Sequence, residues 1–433
     1  MIYLSHNYSI KSLLNLKDNN IFFDSNFVKD LNIKGIICKV FFAKLTYSPA
    51  HCECCGSVNH DSIIKYGFKN TLIKIPMISN YNTYIKLRKQ RFFCKKCGKT
   101  FIANTSLVNK NCFISNQTKL AIANEAKLKI SEKDIARRFN SSHNTVNRIV
   151  NSFYKYHLPN FNYLPKKLCF DEFKSVKECS GAMSFVFCDA ESHKIIDILE
   201  DRRLNQLRSY FSKYSQKARN SVTNIVIDMY SPYITLIEEL FPKANISIDR
   251  FHLVQLINRS FNKSRINIMN KFHKKYPSIY NKLKKYWKLL LKDSSKLSYI
   301  RKYYHHSFRQ YISEEEIVTR LLLFSKELEE AYTIYQNLIF FIKTRNYKAF
   351  QRFIKGNLKI SSHYMLTSIK TYIKYLPYIK NSLNYPFSNG PIEGINNKIK
   401  VIKRIAFGYR SFYHLRNRIL IYSNLTKIKI PSA

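Results

Sequence analysis

Residues 166–201 read KKLCFDEFKSVKECSGAMSFVFCDAESHKIIDILED, and this stretch decides the fold. Three apolar runs, KKLCFDEF, GAMSFVFCDA and KIIDILED, are separated by short polar turns, the pattern of strands in series. Downstream the period changes, with Leu204, Leu207, Tyr210, Phe211 and Tyr214 recurring at helical spacing. Strand-like TNIVIDM (223–229), helical SPYITLIEELF (231–241), strand-like NISIDRF (245–251) and a long helix from His252 follow. A meander followed by alternating helix and strand predicts a mixed α/β sheet with helices on its faces.

Outward from this core the signals differ. Residues 263–379 show no strand pattern and are expected to be all-α. Ser313 and Glu316 form an S-x-x-E capping box. The helix it opens carries Ile317, Leu321, Phe324, Leu328 and Tyr335 on one face and is expected to run to about Lys343. On the N-terminal side, an amphipathic start (Leu13, Leu14, Leu16) leads to strand-like VFFAKL and then to paired cysteines. The expected organisation is a zinc-binding domain at 1–110, a helix-turn-helix at 111–158, a core at 159–262 and 380–433, and an inserted helical segment at 263–379.

The composition bounds the function. A chain of 433 residues, 45% hydrophobic and 15% aromatic, can bury a real core and is not a disordered chain. Lys and Arg number 73 against 28 Asp and Glu, a net charge of +45 that calls for a polyanion. No run of about 18 uncharged apolar residues would cross a membrane. The opening MIYLSHNYSIKSLLNL lacks the basic start and cleavage site of a signal peptide. The expectation is a cytoplasmic, nucleoid-associated protein whose partner is nucleic acid, with no membrane role.

Of ten cysteines, Cys38, Cys112, Cys169, Cys179 and Cys188 are scattered and read as small hydrophobes. Cys52 and Cys55, and Cys94 and Cys97, form two C-x-x-C-G knuckles. Each sets two thiolates on a tight turn, and two turns make a tetrahedral structural Zn²⁺ site with no open position for catalysis. Cys54 is an extra thiol beside it.

ISEKDIARRFNSSHNTVNRIV (130–150) reads as two short helices across a polar break. This is either an ordinary helical hairpin or a helix-turn-helix, and the basic context favours the second. Thr145, Asn147 and Arg148 would then face DNA.

The scarce acids are informative on an anion-binding protein. Asp171 follows Leu168-Cys169-Phe170, Asp228 follows Ile225-Val226-Ile227, and Glu393 lies just after Gly390-Pro391. Carboxylates at strand ends converge where ligands bind, and two or three can hold two Mg²⁺ (or Mn²⁺) ions for phosphodiester chemistry. Asp189, Asp201 and Asp249 pass the same filter, which by itself does not choose. Asp249-Arg250-Phe251-His252 reads as supporting or structural.

Over nearly its whole length the sequence resembles the ISL3-family insertion-sequence transposases. The resemblance rests on LLNLKDNNIFF, the knuckles with RFFCKKCGKTF, FDEF, VIDMYSPY, FPKANISIDRFH and SNGPIEGINNKIKVIKRIAFGYRSF. It implies an RNase H-like core interrupted by an insertion, with a catalytic Asp-Asp-Glu triad on Asp171, Asp228 and Glu393. It further implies Mg²⁺-dependent cleavage and strand transfer, binding to the element's terminal repeats and to target double-stranded DNA, and a homodimer when two ends are paired. After Glu393, Lys398, Lys400, Lys403, Arg404, Arg410, Arg416 and Arg418 are expected to form a phosphate-clamping face. The alternatives are a non-enzymatic zinc-containing DNA-binding regulator on a nuclease-like core, and an RNA-binding protein.

Overall fold

The computed structural model describes residues 2–154 and 157–426, with backbone alone for 2–6. It divides into two compact units. The first holds the described residues through His157, with Lys400–Tyr409 and those from Tyr413 onward; the second holds Leu158–Ile399 and Arg410–Phe412. No helix among the described residues is long and apolar enough to cross a membrane.

The first unit opens with α1 (Ile2–Leu13), β1 (Ile21–Ile33) and β2 (Ile36–Leu45). Lys34 and Gly35 turn this hairpin at φ 54° and 84°, the two positive angles that a tight two-residue turn requires. A second hairpin joins β3 (Ile63–Ile78) to β4 (Tyr81–Cys94), and the short β5 (Thr100–Ile102) pairs with the end of β4. The strand order is β1-β2-β4-β3, with β2 and β4 parallel. Ile21, Phe23, Ala43, Leu45, Ile85 and Leu87 bury one face of this sheet. Three helices follow, α2 (Asn116–Glu125), α3 (Glu132–Arg138) and α4 (His143–Phe153), around Ile122, Ile135, Val146 and Val150. Ser131 and Asp134 form the full capping box at α3, and the chain reverses through Asn140 at φ 42°.

In the second unit, β6 (Lys167–Lys174), β7 (Met183–Asp189) and β8 (Ile195–Leu199) form the expected meander. Then come α5 (Leu204–Phe211), α6 (Gln216–Asn220), β9 (Asn224–Ile227), α7 (Ser231–Leu240) and β10 (Asn245–Ile248). The sheet order is β10-β9-β6-β7-β8, with β10, β9 and β6 parallel. Phe170 stacks on Phe211 at 5.4 Å and meets Phe185, Phe187 and Phe241 edge-on, so aromatic rings fill the space between sheet and helices.

The long α8 (Arg250–Lys271) carries the chain across 262/263 without a break. It leads to α9 (Pro277–Lys285), α10 (Trp287–Leu291), β11 (Tyr303–His305), β12 (Gln310–Ile312), α11 (Glu314–Leu322) and α12 (Lys326–Lys343). Two expectations are corrected here. The segment 263–379 is not all-α, because β11 and β12 pair as a small antiparallel hairpin turned at Arg309, φ 53°. The helix opened by Ser313 ends at Leu322, because Ser325 accepts the Leu328 N–H and starts a new helix.

After α13 (Tyr347–Gly356) and α14 (His363–Lys374), α15 (Leu376–Asn384) covers the sheet edge. Its Ser382 hydroxyl accepts the Ile248 N–H at 2.6 Å, and the Asn381 amide donates to the Ile246 carbonyl at 2.8 Å. Backbone groups of the edge strand β10 are thereby satisfied. The last elements among the described residues are α16 (Gly390–Ile405) and α17 (Phe412–Tyr422).

Candidate active site and metal centre

Parallel register brings the strand-end acids level. Cys169 pairs with Val226, and Ile248 with Ile227. Two residues beyond the first pair, and one beyond the second, Asp171, Asp228 and Asp249 occupy corresponding positions at the ends of three neighbouring ladders. Asp171 is mid-strand in β6, since β6 pairs with β7 as far as Lys174, but it lies past the end of the β9 ladder. It therefore stands where the sheet opens.

Polar side chains from α8, from α16 and from Asn389 just before it meet these acids. His252 Nε2 lies 2.8 Å from Asp228 Oδ1. The Asn389 amide donates to Asp228 Oδ1 at 3.4 Å and to the Phe170 carbonyl at 3.2 Å, and its backbone N–H donates to Asp249 Oδ1 at 3.1 Å. The Asn396 amide donates to Asp171 Oδ2 at 2.7 Å. Glu393 is four residues after Asn389 and three before Asn396, so the three share one face of the α16 start. Glu393 is exposed, and its N–H closes the first helical bond on the Asn389 carbonyl at 3.0 Å.

Burial, then the neighbouring Asp228 carboxylate, push the Asp171 carboxyl up to about 7. Burial likewise raises Asp249. Burial opposes a charged His252 ring, but the hydrogen bond and charge of Asp228 outweigh it and hold that ring above its ordinary value. The donor chemistry is that of a hard divalent cation, with carboxylate oxygens and the partnerless buried side-chain oxygens of Asn389 and Asn396, but among the described residues only the four cysteines gather closely enough to form a group of three or more metal ligands. The other strand-end acids have local tasks. Asp189 accepts the Glu191 and Ser192 N–H groups, and Asp201 holds Arg203. Sequence reasoning named Asp171, Asp228 and Glu393 but missed Asn389 and Asn396 and left His252 without a partner. Polar residues at inward positions of SNGPIEGINN were the available signal.

In the first unit, Cys52, Cys55, Cys94 and Cys97 place their sulfurs within 4.8 Å of one another. The Cys52–Cys97 and Cys55–Cys94 distances are 3.8 and 3.9 Å, close to the ~3.8 Å edge of a tetrahedron with Zn–S of ~2.3 Å. Gly56 and Gly98 each close a knuckle at φ 74° and 66° by donating to the Cys52 and Cys94 carbonyls. The Ser57 hydroxyl and amide draw the Cys55 thiol down to about 6. Cys54 is exposed and outside the cluster. Cys38, Cys169 and Cys188 are buried, whereas Cys112 and Cys179 are half-buried.

The expected DNA-facing residues divide. Arg148 is exposed on α4. Thr145 is occupied in the helix cap with Ser142, and the Asn147 amide donates to Glu132 at 3.2 Å. Lys398, Lys400, Arg404 and Arg410 are exposed and Lys403 is half-buried. Arg418 is not part of a basic face: it is 4% exposed, and its guanidinium donates to the Leu128 and Ile130 carbonyls at 3.1 and 2.6 Å.

Comparison with known proteins gives the family. A zinc-finger model of the IS204/IS1001/IS1096/IS1165 transposases matches residues 48–97, which include the four clustered cysteines. The chain is 22% identical over 396 residues to the transposase for insertion sequence element IS1001 of Bordetella parapertussis, covering 88% of this chain and 91% of that one. It is also 42% identical over 111 residues to a Lactococcus lactis protein named as an ATP-dependent protease, a match to 26% of this chain that spans only 36% of that protein. The model of the ISL3 transposases, described as a transposase, matches residues 168–419, from the meander to the last helix. That span is more than half of the molecule, and the chain belongs to the ISL3 family of insertion-sequence transposases.

Proposed function

We propose that this transposase binds the terminal repeats of its element and cuts and joins DNA through Asp171, Asp228 and Glu393 on an RNase H-like core. The observation that carries the reading is the row of acids: Asp171 and Asp228 stand level on adjacent parallel strands, and Asn396 of α16 and Asn389, just before that helix, are bonded one to each. The strand order β10-β9-β6-β7-β8, an antiparallel meander extended by two parallel strands, supports the core assignment.

Divalent ions held by these carboxylates would activate a water or a 3′-hydroxyl and stabilise the leaving oxygen. The protein's own part is positional. Asn396 fixes one oxygen of Asp171, and His252 fixes one of Asp228. Asn389 ties the α16 start to the sheet through Asp228, Asp249 and Phe170, which sets where Glu393 stands. End recognition belongs to α3 and α4 as a helix-turn-helix, supported by the capped α3, the short reversal and the exposed His143, Asn144 and Arg148. Lys398, Lys400, Lys403, Arg404 and Arg410 contact phosphates in this reading, and two copies of the chain hold the two paired ends.

The test is Mg²⁺-dependent nicking of end-containing DNA. Asp171→Asn, Asp228→Asn and Glu393→Gln each abolish nicking while end binding persists. Wild-type nicking by any one of them removes that residue from the site.

A further inference from the structure

The solvent side of the N-terminal sheet carries a pattern that the catalytic site does not use. Strands β2, β3 and β4 hold nine lysines and arginines over their two faces and no aspartate or glutamate; the sheet's acids, Asp24 and Asp30, are both on β1. Lys74 is buried and donates to the Phe139 and Asn140 carbonyls, and Lys39 pairs with Asp30, whereas Lys44, Lys86 and Arg88 share the outward side. Alternation sends Ala43 and Leu87 to the core and Lys44 and Arg88 outward, where register sets Phe22, Lys44 and Arg88 side by side across three strands.

Aromatic rings are interleaved with these cations. Lys44 and Arg88 lie 4.9 and 5.2 Å from the centre of the Phe68 ring. Lys29 and Lys86 lie 5.9 and 5.6 Å from Phe42. Phe22 and Phe68 remain 45% and 39% exposed.

We propose that this face is a platform for single-stranded DNA; the choice of DNA rests on the transposase reading above. The cations suit a phosphate backbone. Duplex DNA would satisfy them but leave the rings idle, because its bases are stacked on one another. Unpaired bases offer free π-faces, and an aromatic-bearing, basic surface holds them by stacking. A second copy of the same face is excluded as occupant by like charge.

The test uses the full-length, zinc-loaded chain and fluorescence anisotropy with two probes, a thymidine oligonucleotide and a blunt duplex of equal length. Phe22→Ala with Phe68→Ala weakens oligothymidine binding by about tenfold or more and leaves duplex binding within about twofold. Lys44→Gln with Arg88→Gln, both solvent-side changes, flattens the salt dependence of oligothymidine binding by about 1.4 in log–log slope, near 0.7 per lost phosphate contact. Unchanged zinc content and melting show that each variant is folded. Equal losses on both probes, or no loss on oligothymidine, overturn the proposal. Tighter capture of oligouridine than of oligothymidine overturns its assignment to DNA. Asp171→Asn leaves both probes bound, so the platform and the catalytic reading can fail separately.

Discussion

Asp171 shows how a single residue carries the tension of the site. Its carboxyl titrates near 7 in the folded chain, against an ordinary 3.8. Between about pH 4 and 7 the folded state keeps a proton that the unfolded chain has lost, so this group's contribution to stability declines as pH rises through that window. In metal-free protein, Asp171→Asn is therefore expected to melt a few degrees above wild type at pH 8, from a gain on the order of 1–2 kcal/mol after solvent screening. The two should converge near pH 4; coincident melting at pH 8 as well would mean that the buried charge is not destabilising. Apolar strand residues before Asp171 and Asp228 made these acids candidates, but Asp189, Asp201 and Asp249 passed the same filter, and only the family resemblance chose among them. Their partners were not legible. Asn389 and Asn396 reach Phe170 and Asp171 across 219 and 225 residues of chain, and nothing local marks an asparagine as the neighbour of a distant carboxylate.

At the scale of elements, caps decide where helices begin. Ser313 with Glu316 and Ser131 with Asp134 could be read directly, and both boxes form. The break between α11 and α12 was hidden because Leu321, Phe324 and Leu328 keep helical spacing across it, with no glycine or proline to announce a stop. Only the Ser325 side chain, bonded to the Leu328 N–H at 3.3 Å, marks the restart. Ser325→Ala is expected to cost about 1 kcal/mol, read as a lower urea midpoint at unchanged slope. An unchanged midpoint would mean that packing of Leu328 and Ala331, both fully buried, sets the boundary alone. The β11–β12 hairpin escaped notice because strands of three residues are too short for alternation to show.

At the scale of the whole molecule, the two units have separate apolar cores, and the clustered cysteines lie within one of them. Zinc chelation, or Cys94→Ser, should lower one calorimetric transition and spare the other. A uniform shift of a single transition would show that the units unfold together. The charge of +45 was legible at once, and so were the knuckles. The discontinuity of the first unit was not, since Arg418 reads as one more surface cation until its guanidinium is found buried against the Leu128 and Ile130 carbonyls. Ile421 joins the same helical cluster. This closure has a consequence in time. Arg418 is 288 residues downstream of Ile130, which at roughly 5–20 residues per second is a delay of about 15–60 seconds on the ribosome. The helices around Ile130 emerge early but wait for the segment around Arg418 to be sealed. A chain cut before Arg418 would thus lack the brace on the Leu128 and Ile130 carbonyls, and its early helices would stay open to proteases that the full-length chain resists.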